Sequence, residues 1–317
     1  MQRRHSILLA IALVSLLSCR AVAIRLEQLT ASPAAPAGPV WCSEPSWSPD
    51  SHRIAFTRAY YAEDHQGFRA EITVLSLADR SLTAISLPSH VPSEAMVNQV
   101  TWAPDATRLA FSVQPGAAIY DLATQELVLF AQDHEDDLAP AWSPDGKTIA
   151  FQSRKRGIMD IWLFDPDTSS FDNILGRNAS EGFPAWAPDG SALAICSDIG
   201  GSYDIWIVPM GKGYPRQLTT HPMGDSQPSW SPDGRFIVFV SDRGGSSDLW
   251  AIPAAGGDAT RLTWDAGEEV HPDWSPDGRS IVFTSNRSGG LELWQLTDLP
   301  PADLLERRFE AHVRRQH

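Results

Sequence analysis

The chain has 317 residues, a formal net charge of −14 and an isoelectric point near 5.0. So acidic a surface argues against nucleic acid as a partner, because phosphate binding needs a basic face. At its start Arg3, Arg4 and His5 precede an apolar run from Ile7 to Leu17 and then Ala21-Val22-Ala23. Eleven apolar residues fall short of the roughly 20 that a spanning helix needs, so residues 1–23 read as a secretory signal. Cleavage after Ala23 releases a free protein of charge −17, since three arginines and no acid leave with the segment. Cleavage before Cys19, in Leu16-Leu17-Ser18-Cys19, gives an acylated lipoprotein instead, the one route by which the chain reaches a membrane. A periplasmic or secreted location follows from the first reading, a membrane-anchored one from the second. Cys42 and Cys196 lie in separate repeats, so no disulfide is expected between them.

From residue 24 onward the chain repeats itself. The tryptophan of "WSPD" or "WAPD" recurs at Trp47, Trp102, Trp142, Trp186, Trp230 and Trp274, at intervals of 55, 40, 44, 44 and 44 residues. A period of 40–45 made of short β-branched and aromatic runs such as "SIVFTS" and "FIVFVS" predicts propeller blades of four strands each. The first strand ends at the tryptophan and "SPDG" turns the chain into the second. "DIW" or "DLW" marks the third, and "RQLT" or "TRLT" ends the fourth. Proline sets φ for a type I turn and glycine takes the left-handed position that follows. Ser51 and Ala106 occupy that glycine slot in the first two repeats, so those turns are expected to be distorted or of another type. The tryptophans are expected to pack between blades, and the prolines two residues before them to face the channel edge of the innermost strand.

The last repeat has two prolines where its outer strand would form, whereas "RLEQLT" at Arg25–Thr30 reproduces the fourth-strand ending near the other end of the sequence. The N-terminal strand is therefore expected to complete the sixth blade and leave a ring without a missing edge. The expected organisation is a signal segment over 1–23, an all-β six-bladed propeller over 24–298, and a tail over 299–317. Leu305, Phe309 and Val313 give that tail the spacing of a short amphipathic helix.

These repeats resemble those of the TolB-type six-bladed β-propeller, and the resemblance runs over residues 24–296. TolB is periplasmic, carries an α/β domain before its propeller and binds partners of the Tol–Pal envelope system. No room for that domain exists between Ala23 and Trp47, so the resemblance implies the fold and leaves the specific identity open. Similar repeats also build the propellers of prolyl-oligopeptidase-like peptidases and of polysaccharide lyases.

Two sets of positions stand out for function. Five residues before the tryptophan are Asp137, Glu181, Asp225 and Glu269, with Arg154, Lys155, Arg156, Arg243 and Arg287 in loops of the same face. They read either as an acidic collar at the channel mouth that holds Ca²⁺ or a basic peptide, or as acids that pair with arginines inside their own blades. Three residues before the tryptophan are Glu44, Gln99, Ala139, Phe183, Gln227 and His271, whose diversity suits an asymmetric ligand site. His271 beside Glu269 is a His–carboxylate pair with a chance-adjacency reading and a catalytic-base reading. The long first interval carries Tyr60, Tyr61, His65 and Phe68 on a loop that anchors a partner or folds back on its own blade. No Gly-x-Ser-x-Gly, His-Glu-x-x-His or Cys-x-x-Cys occurs in the chain. The expected function is non-covalent binding of a protein or peptide in the bacterial envelope by a monomer without a cofactor. The alternative is a hydrolase or polysaccharide lyase that uses a divalent cation at the channel mouth.

Overall fold

The computed structural model describes residues 24–31, 40–61, 68–92, 95–114, 116–131, 138–176, 178–264 and 267–299. The leader with Cys19, the residues His65 and Asp137, and the tail beyond residue 299 lie outside them. Among the described residues the chain forms six four-stranded antiparallel sheets. Blade one comprises Val40–Trp47, Arg53–Tyr61, Phe68–Ser76 and Leu82–Ala84, and blade two Val97–Trp102, Arg108–Val113, Gly116–Asp121 and Leu127–Ala131. Blade three comprises Leu138–Trp142, Ile149–Ser153, Asp160–Asp165 and Ser170–Asn173, and blade four Glu181–Trp186, Ala192–Ser197, Asp204–Pro209 and Arg216–Gln217. Blade five comprises Asp225–Trp230, Phe236–Ser241, Asp248–Pro253 and Thr260–Arg261. Blade six has Glu269–Trp274, Ile281–Ser285 and Glu292–Thr297, with Arg25–Gln28 as its outermost strand. Each inner strand packs against its two neighbours, and that of blade six meets that of blade one, so the ring closes as a six-bladed β-propeller.

The second strands explain why the blades stack. Ile149–Ser153, Ala192–Ser197, Phe236–Ser241 and Ile281–Ser285 are buried along their whole length, because each blade is covered on both faces. A strand in that setting reads as an unbroken apolar run rather than an alternation. The repeat tryptophans join blades, with the indole N–H of Trp186 donating to the carbonyl of Ala141 and that of Trp230 to Ala185. The guanidinium groups of Arg53 and Arg108 lie over the rings of Trp102 and Trp142 in the following blade.

The turn glycines meet two demands. Gly146, Gly190, Gly234 and Gly278 have φ of 71–73°, and a Cβ on Gly146 or Gly278 would stand 3.2 or 3.3 Å from the turn proline of the preceding blade. Ser51 and Ala106 do not distort their turns: they adopt φ of 59° and 58° and keep the same backbone bond, to Ser48 and Ala103. The left-handed conformation costs about 1 kcal/mol there. Ser51 gains a contact in return, since its hydroxyl accepts the N–H of Asp277 across the closing seam.

Closure reuses a bond of the ordinary blades. In blades four and five the threonine that follows the outer strand accepts the N–H of the third strand, Thr219 from Ile205 and Thr263 from Leu249. In blade six Thr30 accepts the N–H of Leu293 at 2.9 Å and donates to Glu292 at 2.6 Å. The Gln-Leu-Thr of the N-terminal strand thus takes the place of a segment that elsewhere follows in sequence. Burial pushes the thiols of Cys42 and Cys196 up to about 12; both are free and buried.

Candidate functional site

Each inner strand is interrupted where it borders the axis. Its register against the second strand shifts between Ser43 and Ser46, and at the equivalent place in every blade. Inside each bulge lies the residue three before the tryptophan, and all six are left-handed: Glu44, Gln99, Ala139, Phe183, Gln227 and His271, with φ of 51–57°. In five blades the residue that follows is a proline, which has no N–H, so the bulge leaves no ladder donor unmet there; blade two has Val100 instead. Six side chains that sequence places in ordinary strand are thereby turned toward the axis.

Three of them also stitch the ring. Glu44 accepts the N–H of Gln99 through Oε2 at 2.7 Å, Gln99 accepts that of Ala139 at 2.7 Å, and Gln227 accepts that of His271 at 2.7 Å. Where the residue is Ala139, Gln152 from the second strand reaches the N–H of Phe183, and where it is His271, Thr284 reaches that of Glu44. A long side chain with an acceptor oxygen at this position satisfies a backbone donor in the next blade. The variety of these residues is thus in part structural.

The bulges surround a central cavity of about 350 Å³. Trp142, Trp186, Phe183 and the flanking prolines form an apolar wall, and the ionisable groups Glu44, His271 and Asp273 lie together at the junction of blades six and one. Sequence reasoning missed Asp273, which stands one residue before its tryptophan, where the other blades carry Ser46, Thr101, Ala141, Ala185 and Ser229. Its departure from that small, uncharged set was the available signal. Asp273 accepts the N–H of Trp47 at 2.7 Å and the hydroxyl of Ser229 at 3.2 Å, so it ties blades five, six and one. Burial pushes its carboxyl up to about 6, against the pull of those two donors. Burial also lowers the pKa of His271, with the negative charge of Glu44 opposing, and its Nδ1 is shielded and meets no hydrogen-bond partner.

A raised carboxyl favours the folded state in its protonated form. The contribution of Asp273 is therefore complete below its unfolded value near 4 and lost as pH rises through about 6. Asp273→Asn is expected to remove that dependence. The stability of wild type minus variant should fall by on the order of 3 kcal/mol between pH 3.5 and 7. Urea melts at the two pH values measure it, and a constant difference would contradict it.

The acids five before the tryptophan are placed differently from a solvent-facing collar. Glu181, Asp225 and Glu269 begin their inner strands buried. Arg243 meets Asp225 at 2.5 Å and stacks over Phe239 and Trp250, and Arg287 meets Glu269 at 2.8 Å and stacks over Phe283 and Trp294. Each arginine belongs to the blade of its acid. Glu181 and Asp225 border a second cavity of about 450 Å³ at the channel mouth, joined to the first at Phe183 and Gln227. His271 and Glu269 are sequence neighbours only: the first lines the channel, while the second turns to Arg287. No group of three or more His, Cys, Asp and Glu side chains among the described residues is placed to hold a metal ion.

Blade one extends beyond the others. Its second and third strands pair as far as Tyr61 and Phe68, so Tyr60, Tyr61 and Phe68 lie on a long hairpin. Tyr60 belongs to its own blade, its hydroxyl against Glu71 at 3.3 Å and its ring beneath Arg58. Tyr61 is half exposed and clusters with Trp41 and Phe68, ring centres 5.6–5.8 Å apart. The loops of this same face also expose Ile199, Tyr203, Met223 and Trp264, the last with 71% of its surface free. Among the described residues the other exposed large apolar side chains are Leu26, Leu82 and Val128 on outer strands and Tyr214 on the opposite face.

With the geometry in hand, the family described as the TolB beta propeller domain matches residues 92–210 and 117–298, together more than half of the chain. A protein TolB homolog of Protochlamydia amoebophila (strain UWE25) is 38% identical over 56 residues, 18% of this chain and 11% of that protein. TolB from Acinetobacter baumannii superimposes with a TM-score of 0.64 at 22% identity, over 78% of this chain and 64% of that one. An oligogalacturonate lyase from Vibrio parahaemolyticus superimposes with a TM-score of 0.56 at 14% identity, over 88% and 98%. The chain thus spans under two thirds of the Acinetobacter protein and about a tenth of the Protochlamydia one, and likenesses at such identities show the fold alone.

Proposed function

Because this chain belongs to the TolB beta-propeller family, we propose that it is a binding scaffold of the bacterial cell envelope, holding a protein or peptide at the loop face and channel mouth. The observation that carries this reading is the concentration of exposed Tyr61, Ile199, Tyr203, Met223 and Trp264 on that one face. Aromatic side chains bury much surface at little entropic cost and are common interface anchors. A periplasmic location accords with the export signal read in residues 1–23 and with the similarity to TolB proteins. The test is crosslinking in the native organism with wild type and with Tyr61→Asp/Tyr203→Asp/Trp264→Asp. The same partner is expected from wild type and lost from a variant that retains its melting temperature. A partner set unchanged by the triple substitution would refute the assignment of this face.

A further inference from the structure

The ionisable groups of the central cavity are gathered on one wall, at the junction of blades six and one, and among the described residues no Lys or Arg lines the cavity to neutralise them. Glu44 uses a single oxygen, Oε2, for both the N–H of Gln99 and the hydroxyl of Thr57, which leaves Oε1 for a ligand. Asp273 uses each oxygen once, and a carboxylate oxygen has two lone pairs. His271, whose ring nitrogen Nδ1 has no partner, lines the same cavity, and burial keeps its imidazole neutral near pH 7. The wall opposite is apolar, built from Trp142, Trp186 and Phe183.

A metal ion does not fit this arrangement, since its ligands must converge within about 2–2.6 Å of one point and no such group of three exists among the described residues. Acceptors that share a cavity without converging suit a wider cation with several donors. We propose that the channel binds a primary ammonium or guanidinium group carried on an aliphatic stem, with Glu44 and Asp273 taking its N–H donors, the neutral ring of His271 beside them and the apolar wall covering the stem. A lysine or arginine side chain of a bound peptide has this chemistry, so the proposal rests on the scaffold reading and specifies what enters the channel. An ammonium offers three donors, and the junction offers two carboxylates with lone pairs to spare.

Glu44→Gln gives a clean test. Glutamine already stands at the equivalent position in blades two and five, where it accepts the N–H of Ala139 and of His271. The substitution therefore removes the charge and keeps the cross-blade bond. Titration of the full chain with n-butylammonium, followed by tryptophan fluorescence and calorimetry, is expected to show saturable binding that n-butanol and n-butyrate do not reproduce. Glu44→Gln should weaken it at least tenfold with the melting temperature held. Asp273→Asn should weaken it similarly, and Glu27→Gln, on an exposed outer strand, should leave it unchanged. As pH falls through 6, protonation of Asp273 should weaken binding too; Glu44 and His271 are the other titratable groups that line the same junction. Absence of saturable binding to the folded wild type, equal binding of butanol, calcium binding without butylammonium binding, or an unaltered Glu44→Gln would each overturn the proposal. Crosslinked partners that are captured by a wild type that binds no butylammonium would sink this proposal alone.

Discussion

A chain that lacks residues 24–30 is expected to melt more than about 10 °C below the full protein. Those residues supply the outermost ladder of blade six, pairing Arg25 with Thr297 through Gln28 with Trp294. Leu29 is buried and donates its N–H to the carbonyl of Leu293 at 2.8 Å. Burial of one leucine stabilises by about 2–3 kcal/mol and each backbone bond by about 1 kcal/mol. The deletion also removes the bond from the Thr30 hydroxyl to Glu292, a buried acid, and the loss of that bond adds about 1–3 kcal/mol. These contributions sum to roughly 5–8 kcal/mol, and 1 kcal/mol corresponds to about 2–4 °C in a domain of this size. The bared third strand should also promote association between copies, seen by light scattering. Thr30→Val separates the pieces: it keeps the ladder, and should cost only about 1–3 kcal/mol. A deletion whose melting temperature moves by less than 2 °C would refute the closure.

The second large effect belongs to the buried pair of blade six. Arg287→Met is expected to destabilise by about 3–5 kcal/mol at pH 7.5, because it leaves Glu269 buried without its countercharge. Arg287 is itself nearly buried, bonds Ser285 through Nε at 3.1 Å, and lies between Phe283 and Trp294. Burial already raises the pKa of Glu269, with Arg287 the main opposing influence. Without the guanidinium the carboxyl rises further, and a raised carboxyl loses stability as pH climbs through its folded value. The deficit of the variant should therefore be largest at pH 7.5 and shrink toward pH 5. Denaturant unfolding at the two pH values reads it. Glu269→Leu/Arg287→Met should recover most of the loss, since an apolar pair of similar volume often replaces a buried ion pair without penalty. A deficit that is flat with pH would contradict the role given to Glu269.

The blade count and the closing strand were legible because both rest on near-identical words: six tryptophans in "WSPD" or "WAPD", and Gln-Leu-Thr at both Gln28–Thr30 and Gln217–Thr219. The turn residues were partly legible. Proline and glycine announce the turn, but Ser51 and Ala106 reach the same conformation because the neighbouring geometry imposes it. The channel was less legible, since its lining depends on a bulge that no residue type signals. Glu44 and His271 were placed near the axis by position in the repeat, whereas their left-handed backbone and their cross-blade bonds are properties of the assembled ring. The recurring acids suited both a collar and pairing within their own blades, and Asp225 and Glu269 meet Arg243 and Arg287 of their own blades. Asp273 escaped because a single carboxylate among serines and alanines resembles surface variation until the seam between blades six and one is seen.

The stitching of the bulges governs how this pore can be used. At five of the six blade junctions the backbone of the waist is bonded to a side chain of the preceding blade, so at those places the bore cannot dilate without breaking a bond. A guest must enter in the shape it will keep. Its selectivity then comes from fit to a stiff aperture, and little ordering of the host is left to be done on arrival.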